Sequence, residues 1–289
     1  MRRFNARGSQ PIFTVLTTGM LLVSMLIVLF PFLYVVTTSF APREEIVSRG
    51  FFVFPHRWTI NAYGYLMSNR QFMTSFLNAV HITVLGTIVN MSFTSLMAYG
   101  LSKRWLKGRK ALNLMVLFTM LFGGGIIPTY LVVKSLHLID SYWSLYLTGA
   151  IAPFHLIVMR SFFQNIPLEL EEAARMDGCG EWRLFGRIVL PLSLPAVATF
   201  TLFYAVQNWN AYFNAVLYLN DSDKWPLQVF LRQMMNEAND SMENVSGAFE
   251  YSPSVKMAAI VIAAVPLIAV YPFLQKYFNK GMLMGSVKG

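Results

Sequence analysis

The stretch EAARMDGCGEWRLFGRIVLP, residues 172–191, is the most charged interval between two strongly apolar blocks, and its order is that of a built corner. Upstream, Asn165 and Pro167 supply helix start signals, with proline where a missing N–H costs least. Glu169, Glu171 and Glu172 then occupy the first turns, where the helix dipole favours negative charge, and Arg175 lies near the end. Glu171 and Arg175 also form an i,i+4 pair of the favourable orientation. Gly178 is a natural C-terminal stop. A second helical piece, 181–187, follows, and Pro191 and Pro195 bend the entry into the next apolar segment. The expectation is a helix–Gly–helix elbow outside an apolar slab, rigid enough to dock against something.

The blocks on either side define the class. The chain has 289 residues, of which 13% are charged and 55% hydrophobic, with a mean hydropathy of +0.49. A soluble domain carries about 25% charged residues, so the balance indicates a membrane protein. The single cysteine, Cys179, excludes an internal disulfide and a cysteine metal cluster. Six apolar stretches reach the roughly 20 residues a helix needs to cross a bilayer: 12–37, 74–100, 111–134, 141–164, 188–218 and 255–278. The predicted fold is an all-α membrane protein of six transmembrane helices. The first stretch follows Arg2, Arg3 and Arg7 and precedes the small-x-small triplet Ser39-Phe40-Ala41. Its apolar run is too long for a signal-peptide core of about 7–15 residues, and Pro42 follows the would-be cleavage point, so it is expected to stay as an anchor.

Charge sets the orientation. One side would hold residues 1–11, the 101–110 loop with Lys103, Arg104, Lys107, Arg109 and Lys110, the 160–187 stretch that contains the elbow at about 167–187, and the C-terminal end from Lys276 with a tail at about 279–289. That side carries 15 of the 23 Lys and Arg and 5 of the 14 Asp and Glu. The other side holds 41–73, the short loop at Lys134 and 219–256, so the two faces differ as +10 against −1. Both termini and the elbow are therefore expected in the cytoplasm. Topology and contact with anionic membrane lipid are explanation enough for the basic 101–110 loop, and nucleic acid is not an expected partner.

Within the spans there is no Asp or Glu, and His81 and His155 are the titratable groups. Ion-coupled carriers commonly keep a carboxylate there, so an ion-coupled secondary sugar transporter is disfavoured. The fifth span is the most polar. Phe200, Phe203, Gln207, Asn210 and Asn214 follow 3-4-3-4 spacing on one helix face, flanked by Tyr204, while Asn208, Trp209 and Tyr212 lie farther round. Rings and amides suit a sugar along a translocation path. The competing reading, weighed evenly, is that buried amides tie helices together. Gly123-Gly124-Gly125 with Pro128 reads as a kinked, closely packed helix, since no Lys-Ser or Lys-Thr follows the glycines as in a phosphate loop. No G-x-x-x-x-G-K-[ST] occurs anywhere, so the chain is not expected to be an enzyme or to hydrolyse ATP itself. The 41–73 loop carries Phe51, Trp58 and Tyr63 as interfacial aromatics. The acidic 219–254 loop reads as a docking surface for an external partner, or else as a solvated cap.

Glu172-Ala173-Ala174, three residues, Gly178, nine residues, then Ile188-Val189-Leu190-Pro191 matches the EAA signature, EAA-x3-G-x9-I-x-LP, at every fixed position. On these residues the chain resembles the permeases of ABC importers over nearly its whole length. It is most similar to the carbohydrate-uptake group typified by the smaller membrane subunit of the maltose transporter. Its ending, Gly285-Ser286-Val287-Lys288-Gly289, is similar to that group's tail, which reaches into the ATPase dimer interface. The resemblance implies that the elbow forms coupling helices seated on a dimer of cytoplasmic ABC ATPase subunits, which would bind the ATP and Mg; no cofactor is expected in this chain. Glu171, Glu172, Ala173, Ala174, Asp177 and Gly178 would serve the coupling, with small alanines allowing close approach. Gly285, Val287, Lys288 and Gly289 would serve the ATPase interface. Phe203, Tyr204, Gln207, Asn210 and Asn214 would line the path. A second homologous permease and an extracellular or periplasmic solute-binding protein complete the implied machine, in a bacterial inner membrane. The segment from Phe122 through Leu145 also resembles a subgroup handling complex or acidic oligosaccharides, alginate- or pectin-derived fragments among them. A non-transport membrane scaffold is the remaining rival, and it would have no use for the polar stripe.

Overall fold

The computed structural model describes residues 10–240 and 252–286, and the regular structure of these residues is helical. The expected basic N-terminus with Arg2, Arg3 and Arg7, the stretch 241–251 of the outer loop, and Val287, Lys288 and Gly289 lie outside the described residues. The helices are α1 (Gln10–Ser39), α2 (Arg43–Arg49), α3 (Asn61–Ser68), α4 (Arg70–Ser102), α5 (Arg109–Leu121), α6 (Ile126–Ser135), α7 (Tyr142–Thr148) and α8 (Pro153–Gln164). They continue with α9 (Leu168–Met176), α10 (Glu181–Leu184), α11 (Leu190–Leu192), α12 (Leu194–Trp209), α13 (Phe213–Tyr218), α14 (Leu227–Asp240) and α15 (Pro253–Ser286).

Two compact units emerge, one of residues up to 69 with 234–264, the other of residues 70–233 with those from 265 onward. In the first, α1 is a run of 30 residues with an 18-residue apolar window in which no residue is buried, while Thr37, Thr38 and Ser39 at its end are buried and Ser39 Oγ lies 2.7 Å from the Tyr63 hydroxyl. The loop after it is pinned by one carboxylate. Glu45 accepts hydrogen bonds from Arg49 Nη1 at 2.6 Å, from the His56 N–H at 2.8 Å and from the Arg57 N–H at 3.3 Å. The backbone N–H of His56, more than any other partner, holds its carboxyl below the usual glutamate range.

In the second unit α4 is the central column. Its 33 residues span about 50 Å at 1.5 Å per residue. Near its start Ile82 joins a core cluster with Val133, Tyr146, Tyr218 and Val229. Near its end Ala98 and Leu101 join another with Met159, Phe163, Phe185 and Phe200. Between the two lies a polar layer, described below.

Three helices, α1, α4 and the first part of α15, are each long and apolar enough to cross a membrane, and three bent pairs pass the same test when joined. The bend between α7 and α8 corrects an expected straight span, whereas a kink at 123–128 and a bent entry at Pro191 and Pro195 were expected. α5 and α6 turn by 118° across 122–125. The glycines there supply backbone freedom rather than close packing: Gly125 has φ +84°, while a Cβ on Gly123 or Gly124 would meet nothing within 4 Å. α7 and α8 meet at 56° across 149–152, with Pro153 starting α8. The fifth span bends by 85° at Ser193 and stops at Trp209, so Asn214 belongs to α13 and the 3-4-3-4 stripe is not one helix face. The final helix runs on to Ser286, with Gly285 in its last turn, instead of yielding to a tail at 279.

The described part of the outer loop is ordered by specific bonds. Asp140 accepts from the N–H groups of Asn220 and Asp221 at 3.1 Å each and from Lys224 Nζ at 2.5 Å. Lys224 beside it holds the Asp140 carboxyl below its ordinary range, and Asp140 in turn raises the Lys224 ammonium. Asn78 Nδ2 donates to the Asp223 carbonyl at 2.7 Å, and Trp225 Nε1 to that of Leu219 at 3.1 Å.

Candidate functional site

The elbow forms as helix, turn, helix. Pro167 is the N-cap of α9, whereas Asn165 caps the end of α8 and starts nothing. At the other end Asp177 is the C-cap, and Gly178 adopts φ +78°. The Cys179 N–H donates to the Ala174 carbonyl and the Gly178 N–H to that of Arg175, each at 3.0 Å, the double bond of a Schellman motif. The second piece does not end at Arg187. From α10 the chain passes into a wide π-turn at Phe185–Val189 and reaches Leu192 before bending. A widened turn just before Pro191 relieves the clash a proline ring makes with the carbonyl four residues back.

The expected coupling residues divide between two faces of α9. Glu172 and Ala173 are exposed, and Asp177 and Gly178 are exposed at the turn. Met176 is 89% exposed and Trp182 78%, with Leu168 and Leu170 also open, so the outward surface mixes acids and large apolar side chains. Glu171 and Ala174, expected among the same coupling residues, face inward. Lys103 Nζ donates to Glu171 Oε2 at 2.6 Å, with side chains 5% and 9% exposed. Arg175 lies 3.8 Å from Glu171 and donates instead to Glu181 at 2.9 Å, so the expected i,i+4 pair is the weaker of its two contacts. The Tyr99 hydroxyl donates to Glu181 Oε2 at 2.6 Å, and Lys103 Nζ sits 4.2 Å above the Tyr99 ring. Lys103 thus leaves the basic lipid-facing set to which its loop was assigned.

The fifth-span residues separate in the same way. Phe203, Gln207 and Asn210 are exposed on α12 and its C-cap, and Asn214 is exposed on α13. Asn210 Nδ2 donates to its own helix, at Val206 O, 2.9 Å. Tyr204, expected with them along the path, is fully buried, its hydroxyl 2.7 Å from Thr94 Oγ1 and accepting the Ala152 N–H at 2.9 Å. His155 packs its ring 4.7 Å from that of Tyr204 and 5.6 Å from Phe203.

The strongest amide is one the sequence set aside. Asn208 Nδ2 donates to Asn90 Oδ1 at 2.9 Å and to Thr87 Oγ1 at 3.4 Å. Asn90 Nδ2 donates onward to the Gly149 carbonyl at 2.8 Å and to that of Tyr146 at 3.3 Å. Gly86 makes room, since a Cβ there would stand 2.8 Å from Asn208 Nδ2. The open backbone at the α7–α8 break is thus bonded by side chains from α4 and α12, as a break within a bilayer requires. The 87, 90, 94 spacing of polar residues within α4 was a readable signal for this layer. Among the described residues no three His, Cys, Asp or Glu come together as a metal site.

Comparison with known proteins gives this arrangement relatives. The family model described as binding-protein-dependent transport system inner membrane component matches residues 2–284. The polygalacturonan/rhamnogalacturonan transport system permease protein YtcP of Bacillus subtilis (strain 168) is 52% identical over 282 residues, 96% of this chain and 99% of that protein. Protein LplC of the same organism is 54% identical over 269 residues, 91% of this chain and 90% of that one. Among solved structures, the crystal structure of a bacterial ABC transporter involved in the import of the acidic polysaccharide alginate matches with a TM-score of 0.86. Its sequence identity is 33%, over 96% of this chain and all of the other.

Proposed function

Because this chain belongs to the family of binding-protein-dependent transport system inner membrane components, we propose that it forms half of the translocation path of an ATP-driven oligosaccharide importer. It is a multi-pass permease of the inner membrane, and it belongs to a class of subunits that are not catalytic. That membership removes the ion-coupled carrier and the scaffold as readings. The remaining half would come from a second homologous permease, ATP and Mg would be bound by a dimer of cytoplasmic ATPase subunits, and a solute-binding protein would deliver cargo from outside. In this reading the three helices and three bent pairs are six spans, with both termini and the elbow in the cytoplasm.

The observation that carries the docking assignment is the outward face of α9 and α10. Glu172, Ala173, Met176 and Trp182 stand free, while the other side of α9 is committed to the chain's own α4. A small Ala173 between an acid and two large apolar side chains suits insertion into a cleft that offers a cation. Glu172→Lys or Gly178→Pro is expected to abolish substrate-stimulated ATP hydrolysis in the purified complex while membrane insertion stays intact. Full activity in both variants overturns the assignment.

An acidic oligosaccharide is the cargo this reading favours, because a polygalacturonan/rhamnogalacturonan permease and an alginate importer stand among the relatives. Phe203, Gln207, Asn210 and Asn214 would meet its rings and hydroxyls. An oligogalacturonide should stimulate ATP hydrolysis where a neutral oligosaccharide of equal length does not. Asn210→Leu should slow uptake more than it lowers complex yield; an equal loss of both identifies packing instead.

A further inference from the structure

Both arms of the elbow are fastened to the same end of the same helix. The first arm, α9, is held by the buried Glu171–Lys103 pair. The second arm, α10 and its π-turn, is held by Glu181 on the Tyr99 hydroxyl and by Phe185, whose ring lies 4.9 Å from that of Tyr99. Tyr99 lies in the last turn of α4 and Lys103 immediately past its end, with Lys103 Nζ over the Tyr99 ring. Arg175 bonds Glu181 and so ties the two arms to each other. One attachment would leave the elbow free to rotate about it, whereas two on different arms set its orientation. Exposed ion pairs alone carry little energy, but a buried pair is different: removing one partner leaves an unpaired charge in an apolar site.

The other end of this connection is equally defined. Along α4, one to three turns from Tyr99, Thr94 bonds Tyr204, and Asn90 and Thr87 bond Asn208, both on α12. α12 carries the exposed Phe203 and Gln207. A displacement of the elbow therefore has a route to the helix bearing the proposed path: polar contacts at the end of α4, the body of α4, and the hydrogen bonds from Thr94, Asn90 and Thr87 to α12.

We propose that Lys103, with Glu171, is a positioning residue for transport, making α4 the element through which elbow movement reaches α12. This rests on the reading of the elbow as the ATPase dock. Neither residue touches cargo or the proposed docking surface; they act by keeping α4 and the elbow one body.

The test uses the full complex in liposomes, measuring oligosaccharide uptake per ATP hydrolysed together with ATPase co-purification. In Lys103→Met the ATPase is expected to co-purify and to hydrolyse ATP, while uptake per ATP falls about tenfold, within the range over which residues along a coupling route act. Since that variant strands a buried carboxylate, the double variant Lys103→Met/Glu171→Met serves as the folding control, because apolar replacement of a whole buried pair is commonly neutral. It too should assemble, hydrolyse ATP and lose uptake per ATP. Tyr99→Phe, which removes only the hydroxyl to Glu181, should give a smaller loss, about twofold to threefold. Uptake per ATP unchanged in the double variant overturns the proposal, as does loss of the ATPase from it, which would make the pair a support of the dock alone. The underlying dock reading fails separately, by Glu172→Lys retaining full substrate-stimulated hydrolysis.

Discussion

Neighbouring residues of one type do different work here, and burial sorts them. Asn208 is enclosed and bonded to two α4 side chains, whereas Asn210, two residues on, is exposed and bonds its own helix. Asn208→Leu would leave the Asn90 amide oxygen without its donor and should cost about 1–3 kcal/mol, read as thermal unfolding in detergent. Gly86→Ala should cost a similar 1–3 kcal/mol, because its Cβ would stand 2.8 Å from a short, doubly bonded amide that has little room to yield. Asp140 makes a pH prediction. Its carboxyl is held below the ordinary range chiefly by Lys224, so its contribution is fully present above the unfolded carboxyl value of about 3.9. It is lost as pH falls through the lower folded value. Asp140→Asn should therefore loosen the 219–225 turn at neutral pH, with faster amide exchange at Asn220 and Asp221, and should remove the acid dependence of that turn.

The elements show why helix ends and the bends marked by glycine or proline were legible and the bend between α7 and α8 was not. Gly178 announced the stop of α9 because a left-handed residue after a helix is a local requirement, and the Schellman bonds form within six residues. Gly178→Ala, at φ +78°, should cost about 1–2 kcal/mol. Gly123→Ala, with open space and no positive φ, should stay within about 0.5 kcal/mol. The same unfolding measurement separates the two glycines. The bend between α7 and α8 could not be read locally. Its freed carbonyl at Gly149 and N–H at Ala152 are met by Asn90 and Tyr204, 59 and 52 residues away. Apolar composition alone marks a span, and it is indifferent to whether that span is straight.

At the scale of the molecule the exposed and buried sides of α12 carry different expectations. With Cys179→Ser removing the single native thiol, Asn214→Cys should react with a water-soluble maleimide in the assembled complex and be protected by bound oligosaccharide. Asn208→Cys, on the buried side, should react slowly with or without it. Equal reactivity at the two positions would remove 214 from the path.

Composition, apolar run lengths and the spacing of the EAA stretch were enough to determine the all-helical membrane class, the helix–Gly–helix elbow and its stop, because each is dictated by solvent or by bonds within a few residues. The tertiary structure alone decided which side of each helix is spoken for. Helical periodicity groups residues onto a face, but the face is buried only if another element arrives to cover it. Hence Glu171 and Glu172, adjacent and chemically identical, part company: one meets Lys103 from the end of α4 and disappears, and the other is left standing in the open.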